Sequence, residues 1–342
     1  MSKKIVISVD AMGGENAPSK CIEGVSMFLK KNNQNDYLIQ LHGDKKKIEE
    51  ELNKNNILNS NKINIFHASS VVSDQETPLT AIKNSKDSSM WNSISAQIKK
   101  EKADITLSAG NTGVMLVISR MILKMIGQVK KPALAALWPN QHGYNVVLDL
   151  GANIECDDNN LVEFTKMGTA LFKSLFPNNE PKAALLNIGS EEIKGTETLK
   201  KAFQKLEILS KNKNFIFNGY LEPNKITDGQ SNVIVTDGFT GNISLKTAEG
   251  TAKFITDNLK KYLMSTFLSK FSLIFSYFSL KKFKDKLDPR RYNGAIFLGL
   301  NGPVVKSHGS TDSLGFYYSL DLCYKIVRGN LMDKIKTNLD EI

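Results

Sequence analysis

Lys4-Ile-Val-Ile-Ser-Val-Asp-Ala-Met-Gly-Gly14 sets the pattern of the chain: a β-branched run, then an acidic residue, then paired glycines. Such a run reads as a buried strand, and the glycines read as the turn that leaves it at a sheet edge. Short β-branched runs alternate with longer amphipathic stretches to the end of the chain, the signature of βα units around a mostly parallel sheet. Strands are predicted at 4–9, 37–41, 63–66, 104–107, 133–137, 146–149, 183–187, 215–217, 233–236 and 295–299. Helices fill most of the gaps, with a final helix at 312–338. Lys45 to Lys62 is rich in Lys and Asn, yet Ile48, Leu52, Ile57 and Leu58 make it a surface helix and turn. No repeat of about 20–50 residues and no Pro/Gly/Ser linker is evident, so residues 1–342 read as a single α/β domain. Met1-Ser-Lys-Lys runs directly into Ile5 without a long apolar stretch, so a signal peptide is not expected.

With 342 residues, 41% hydrophobic and 23% charged, the chain has material for a large core and lacks the composition of a disordered one. Cys21, Cys156 and Cys323 are widely spaced and odd in number, which fits a reducing compartment without disulfides and argues against a zinc ribbon. The net charge of +10 is concentrated: from Lys253 to Arg291 there are ten Lys or Arg against three acids, net +7. That segment favours an acidic partner or an anionic membrane surface. Zinc-finger spacing, an RNP-like aromatic sequence and a basic zipper are all absent, and nucleic acid is not expected as a partner.

Glycine with a small or polar residue recurs just after the strands. The loops are Asp10-Ala-Met-Gly-Gly14, Ser108-Ala-Gly-Asn-Thr-Gly113, Asp149-Leu-Gly-Ala-Asn153, Asn187-Ile-Gly189 and Asp237-Gly-Phe-Thr-Gly-Asn242. In open α/β sheets ligands bind at the C-terminal strand ends, where glycine admits close backbone approach and the next helix presents N–H groups. Five such loops from one sheet are expected to converge on an anion.

Missing motifs narrow the chemistry. Gly189-Ser-Glu-Glu-Ile-Lys194-Gly195-Thr196 has its lysine before the glycine and is no P-loop, and no GxGxxG follows a strand. The GxSxG elbow is absent, and His42, His67, His142 and His308 show no metal-ligand spacing. Neither a hydrolase triad nor a metal centre is visible, and no cofactor is expected.

Taken in order, the loops resemble those of the phosphate acyltransferase (PlsX) family of bacterial phospholipid synthesis. The resemblance spans nearly the whole chain. It rests on Val9-Asp-Ala-Met-Gly-Gly14, Ser108–Gly113, Leu148-Asp-Leu-Gly-Ala-Asn153, Leu186-Asn-Ile-Gly-Ser-Glu-Glu-Ile-Lys-Gly195, Asp237–Asn242, and Leu300-Asn-Gly302 with His308-Gly-Ser310. Glu15, Val114 and Tyr292-Asn-Gly294 depart from the family pattern. The resemblance implies a three-layer α/β/α sandwich with a mostly parallel sheet, related to the isocitrate and isopropylmalate dehydrogenases. It implies a cytoplasmic, peripherally membrane-associated homodimer that makes acyl phosphate from acyl-acyl carrier protein and inorganic phosphate. A membrane-embedded glycerol-3-phosphate acyltransferase would be a further partner.

The residues agree with this chemistry. Phosphate is largely dianionic near neutral pH, the second pKa of a phosphate monoester being about 6, so it needs no Ser-His activation. The leaving thiol, with a pKa of about 8.5, needs little acid help. The remaining tasks are to hold the anion, aim it at the thioester carbonyl and stabilise the tetrahedral oxyanion. With the motif, Lys194 is the expected cation. Asn242 is an amide donor to the carbonyl oxygen or phosphate, or a helix N-cap before Ile243, and the two roles are compatible. Ser108, Asn111 and Thr112 bind phosphate, orient the substrate or cap the helix beginning near Val114. Gly13, Gly14, Gly110, Gly113, Gly189, Asp237 and Gly238 complete the expected binding loops, and Asp149 and Asn153 shape the pocket. His308 is a proton donor to the thiolate or a loop anchor. Direct attack by phosphate makes a covalent relay through Cys156 unnecessary.

Residues 255–288 are expected to form a basic amphipathic helical hairpin extension, its second arm beginning near Lys281. Between Tyr262 and Leu280, Leu263, Met264, Phe267, Leu268, Phe271, Ile274, Phe275 and Phe278 recur largely every three or four residues, flanked by lysines. Lys270 and six Ser or Thr residues interrupt the stretch, which argues against a span. The stripe fits attachment to a bilayer surface, a dimer interface or a core. A phosphate acetyl- or butyryltransferase using acyl-coenzyme A is the alternative enzymatic reading, and a non-catalytic scaffold a third.

Overall fold

The β-branched run at the start forms β1 (Ile5–Asp10), which pairs in parallel with β2 (Tyr37–Gly43) and β4 (Ile105–Ser108). The computed structural model describes all residues except 1–3, 33, 35, 74, 78, 79, 81–84, 101, 212–214, 341 and 342. Between and beyond these strands come α1 (Ser19–Lys31), α2 (Lys45–Lys54), β3 (Ile63–His67), α3 (Ser89–Ser95) and α4 (Thr112–Leu123). The middle of the chain gives β5 (Ala133–Asn140), β6 (Gly143–Leu148), α5 (Asp158–Leu175), β7 (Lys182–Leu186), α6 (Glu197–Ser210), β8 (Ile216–Leu221) and β9 (Val233–Val235). Then follow α7 (Gly238–Leu263), α8 (Phe267–Leu287), β10 (Ala295–Leu298), β11 (Val304–Lys306), α9 (Ser313–Arg328) and α10 (Leu331–Asp340).

The strands form one continuous sheet in the order β3-β2-β1-β4-β11-β10-β5-β6-β9-β7-β8. Alternate side chains point to opposite faces. On one face Ile7, Val9, Ile39 and Leu107 join Phe164 of α5 and Phe316 of α9 in a core that α1, α2, α6 and α10 also cover. On the other face α3 and α4 pack on Phe297 and Val304, and Leu245 of α7 packs on Val147, Leu150 and Ile234. The result is a three-layer α/β/α arrangement.

Most pairings are parallel, but β11–β10, β10–β5 and β5–β6 are antiparallel. Three successive reversals make the block β3-β2-β1-β4-β11 run opposite to the block β6-β9-β7-β8. β11 was not among the predicted strands; it is three residues long and returns from β10 through the Asn301-Gly302-Pro303 turn. The predicted helix 312–338 is two helices, divided at Gly329 and Asn330. A side chain at Gly329 would collide with the Ser174 carbonyl, and Asn330 has a left-handed φ of 52°. The hairpin's second arm begins at Phe267, not near Lys281, and the chain turns at Met264 to Thr266.

Candidate active site on two edges of the sheet

Because the two blocks run oppositely, the loops after β1, β4 and β11 emerge at one edge of the sheet, and those after β6, β7 and β9 emerge at the other. The five loops expected to meet on one anion form two sets.

At the first edge, Asp10 and Ser108 are buried, and the Ser108 hydroxyl donates to Asp10 Oδ2 at 2.7 Å. The Gly110 amide donates to Ser108 Oγ at 3.1 Å, and the Met12 amide to Asp10 Oδ1 at 3.2 Å. A side chain on Gly13 would stand 2.7 Å from both Asp10 Oδ2 and the Gly110 nitrogen, so the close approach of these two loops requires glycine there. Gly14 lies beside the Ala109 and Gly309 carbonyls. Asn111 caps α4 by accepting from the Val114 amide at 3.1 Å, so the helix begins at Thr112.

An open cleft of about 380 Å³ lies over the start of α4, lined by Gly110 to Gly113 with Glu15, Lys306 and His308. Lys306 Nζ donates to the Ala109 carbonyl at 3.3 Å, and the ammonium of the buried Lys20 donates to the Gly309 carbonyl. Sequence reasoning singled out neither lysine: Lys306 ends the unpredicted strand, and Lys20 is a buried cation in an amphipathic helix. His308 Nδ1 faces the Ser310 amide at 3.3 Å and hydroxyl at 3.0 Å, while its own amide donates to Asn293 Oδ1 at 2.9 Å. Burial, Lys306 and Lys246 hold the imidazole below its ordinary value, against the opposing pull of Glu249 and Glu15.

At the second edge the buried Asp149 gathers its own loop. Its carboxylate accepts from the amides of Leu134 (2.9 Å), Gly151 (3.2 Å), Ala152 (2.9 Å) and Asn153 (2.8 Å), and from Asn153 Nδ2 (2.8 Å). Burial pushes this carboxyl up, and the donors oppose the shift. Asn153 Nδ2 also donates to the Pro132 carbonyl at 2.6 Å, so Asp149 and Asn153 shape the loop. α7 starts directly against it, because a side chain at Gly241 would collide with the Asp149 carbonyl. Asp237 is the cap of α7, accepting from the Thr240 amide and hydroxyl at 2.8 Å each, with Gly238 as the first helical residue. Asn242 therefore lies inside the helix and is not its N-cap. Its exposed side chain is beside Gly151, with Cγ 3.6 Å from where a Gly151 side chain would begin.

Lys194 lies on the loop after β7 at this edge. Its stem folds over Gly189, its carbonyl accepts from Asn187 Nδ2 at 3.1 Å, and its ammonium is 2.9 Å from Glu191 Oε1. Cys156, half-buried nearby, has its thiol pushed up to about 11 by burial and by Asp149. The structure thus groups Lys194, Gly189, Asn242, Asp237, Gly238, Asp149 and Asn153 at one edge. Gly13, Gly14, Ser108, Gly110 to Gly113 and His308 are grouped at the other. α7 connects the groups electrostatically, since Lys246 on it acts on His308. Among the described residues, no group of three His, Cys, Asp or Glu side chains is placed to hold a metal ion.

This architecture has solved counterparts. A phosphotransacetylase from Streptococcus pyogenes superposes with a TM-score of 0.64 at 15% identity, covering 97% of this chain and 95% of its own. The EutD phosphotransacetylase from Staphylococcus aureus gives a TM-score of 0.63 at 15% identity, covering 95% and 94%. These likenesses establish the fold. In sequence, the phosphate acyltransferase of Pelagibacter ubique (strain HTCC1062) is 52% identical over 339 residues, covering 99% of this chain and 100% of its own. That of Rhodospirillum rubrum is 41% identical over 342 residues, covering 100% and 96%. The family described as "Fatty acid synthesis protein" matches residues 5–334, and the chain belongs to it, the phosphate acyltransferase (PlsX) family of acyltransferases.

Proposed function

We propose that the chain transfers a long-chain acyl group from acyl-acyl carrier protein to inorganic phosphate, giving acyl phosphate for phospholipid synthesis. The observation that carries the mechanism is the state of the thiols. Cys21 and Cys323 are buried, and burial holds all three thiols above the ordinary value, so none is a ready nucleophile. Phosphate itself then supplies the attacking oxygen. The C–O bond forms as the thioester carbonyl carbon becomes tetrahedral, and the C–S bond breaks with its electron pair leaving on sulfur.

In this reading the start of α4, with Gly110, Asn111, Thr112 and Gly113, receives phosphate, whose charge Lys306 complements. Lys194 and Asn242 stabilise developing negative charge beside the Asp149 loop, and α7 leads from there towards the phosphate cleft, where Lys246, one turn beyond Asn242, acts on His308. The working unit is a homodimer in the cytoplasm. Its α7–α8 hairpin attaches to an anionic bilayer surface, where a membrane-embedded glycerol-3-phosphate acyltransferase takes the product. Support for attachment comes from the exposed Phe267, Leu268, Phe271, Phe275 and Phe278 beside the basic flanks. Among the described residues, no helix is long and apolar enough to cross a membrane.

The deciding experiment measures thiol release from palmitoyl-acyl carrier protein with and without phosphate. Phosphate-dependent release with acyl phosphate as product is expected. Turnover of acetyl-coenzyme A with none of palmitoyl-carrier protein would instead establish the coenzyme A alternative. Replacing Phe271 and Phe275 with Asp should release the protein from anionic liposomes while soluble-substrate turnover persists. Loss of the dimer or of folding in that variant would place the stripe inside protein.

A further inference from the structure

We infer that Asp10 is a positioning residue for the phosphate loop, fixing the Gly110 amide through the Ser108 hydroxyl. The inference rests on the reading of the α4 cleft as the phosphate site, and it assigns a role to a residue that lines no part of that cleft.

The argument is one of hydrogen-bond polarity. A serine hydroxyl has one proton to give. Here that proton goes to Asp10 Oδ2 at 2.7 Å, a short contact to a carboxyl oxygen. With its proton committed, Ser108 Oγ faces the Gly110 amide as an acceptor at 3.1 Å. The amide of Gly110 is therefore turned inward, which sets the direction in which the chain enters Asn111 and the first turn of α4. Asp10 and Ser108 are almost wholly inaccessible, at 1% and 0% exposure, so water does not substitute for either partner.

The coupling crosses between strands. Asp10 ends β1 and Ser108 ends β4, strands that lie side by side in parallel. Asp149 at the other edge serves its own loop and the Leu134 amide 15 residues away, whereas Asp10 reaches a partner 98 residues away. Asp10 also steadies its own turn through the Met12 amide. Gly13 passes so close over this junction that any side chain there would press on both Asp10 Oδ2 and the Gly110 nitrogen. The glycine turn after β1 and the anion loop after β4 are thus one unit with a buried carboxyl at its centre. Burial raises that carboxyl above its ordinary value, while hydroxyl and amide donors hold it down.

The test uses the full chain and compares Asp10→Ala, Asp10→Asn, Ser108→Ala and the double variant Asp10→Ala/Ser108→Ala. Losing a hydrogen bond to a charged group is worth about 10- to 100-fold, so KM for phosphate should rise by that factor in Asp10→Ala and Ser108→Ala. KM for the acyl donor should stay within about twofold of the starting protein if only the anion loop has moved. The double variant should be no worse than the more damaged single variant, because the two residues act through one chain of bonds. Asp10→Asn, which keeps an oxygen acceptor, should recover part of the loss. Calorimetric titration with inorganic phosphate alone supplies a readout independent of turnover. An unchanged phosphate affinity in folded Ser108→Ala would overturn the inference. So would additive losses in the double variant, or equal losses for both substrates. If Asp10→Ala fails to fold, Ser108→Ala decides, since it removes only a hydroxyl. Starting protein that binds phosphate but transfers no acyl group would defeat the proposed reaction while leaving Asp10 to be judged by titration.

Discussion

Lys194 Nζ stands 2.9 Å from Glu191 Oε1, so the cation proposed to stabilise negative charge already has an acidic neighbour three residues away. Both groups are exposed, each favouring the other's charged form, and a solvated pair of this kind opens easily. Under the proposed function, negative charge developing beside Lys194 competes with Glu191 for the ammonium.

Lys194→Ala is therefore expected to stay folded and lose roughly 100- to 1000-fold in turnover, the usual cost of removing a group aimed at transition-state charge. Glu191→Gln should act in the opposite direction, raising turnover a few-fold while leaving the melting temperature unchanged. Steady-state kinetics on both variants checks this. Near-normal turnover of folded Lys194→Ala would remove Lys194 from the site.

Asn242 and Asp237 should separate activity from stability. Asp237 caps α7, so Asp237→Ala should cost about 1 kcal/mol in denaturant unfolding. Asn242 lies in the second turn and caps nothing, so Asn242→Ala should unfold at the same denaturant concentration as the starting protein and lose about 100-fold or more in turnover. A stability loss in Asn242→Ala with turnover intact would contradict this assignment.

Cys156 should be chemically quiet. With its thiol pushed up to about 11, roughly one molecule in ten thousand carries the thiolate at pH 7. Alkylation of Cys156 should accelerate about tenfold per pH unit between pH 7 and 10, because the reactive form is the one that burial disfavours. Cys156→Ser should retain most of the activity, and an acylated Cys156 peptide that turned over at a competent rate would show the thiol to be an intermediate carrier.

His308 should remain neutral at pH 7. Burial and the positive charges of Lys306 and Lys246 all disfavour the imidazolium, so its NMR titration midpoint should fall below 6.5. Replacing Lys246 with Met removes a repelling charge and should raise that midpoint. A midpoint above 6.5, or one indifferent to Lys246, would place His308 outside the field of α7.

Much of the fold could be read from short-range pattern. The runs at β1, β2 and β7 alternate or bury in the way single strands must, and Ile48 and Leu52 mark the buried side of α2. Strand direction could not be read this way. Val304 to Lys306 is too short to announce itself, and the reversals through β10 and β5 depend on partners far apart in sequence. Hence the glycine loops were recognisable one by one, while their division between two edges was not. The cap of α7 was more accessible: Asp237 three residues before Thr240 is a standard N-terminal signal, although Asn242 is a residue type that suits the same role. Lys20 had no such signal, since a lysine buried against a carbonyl resembles any other lysine in a helix.

α7 is a single unbroken rod from Gly238 beside the Asp149 loop to Leu263 at the hairpin turn. At 1.5 Å per residue, Asn242 and Met264 stand about 33 Å apart along its axis. An acyl chain reaches across about one leaflet, half of a hydrocarbon core some 30 Å thick. The rod is thus a gauge that holds whatever meets the tip beyond the reach of a chain still anchored at Asn242. Under the proposed function, acyl product formed there has to let go before it can arrive, so departure from the loop is a separate kinetic event, one that lengthening α7 would keep and that removing about four turns would abolish.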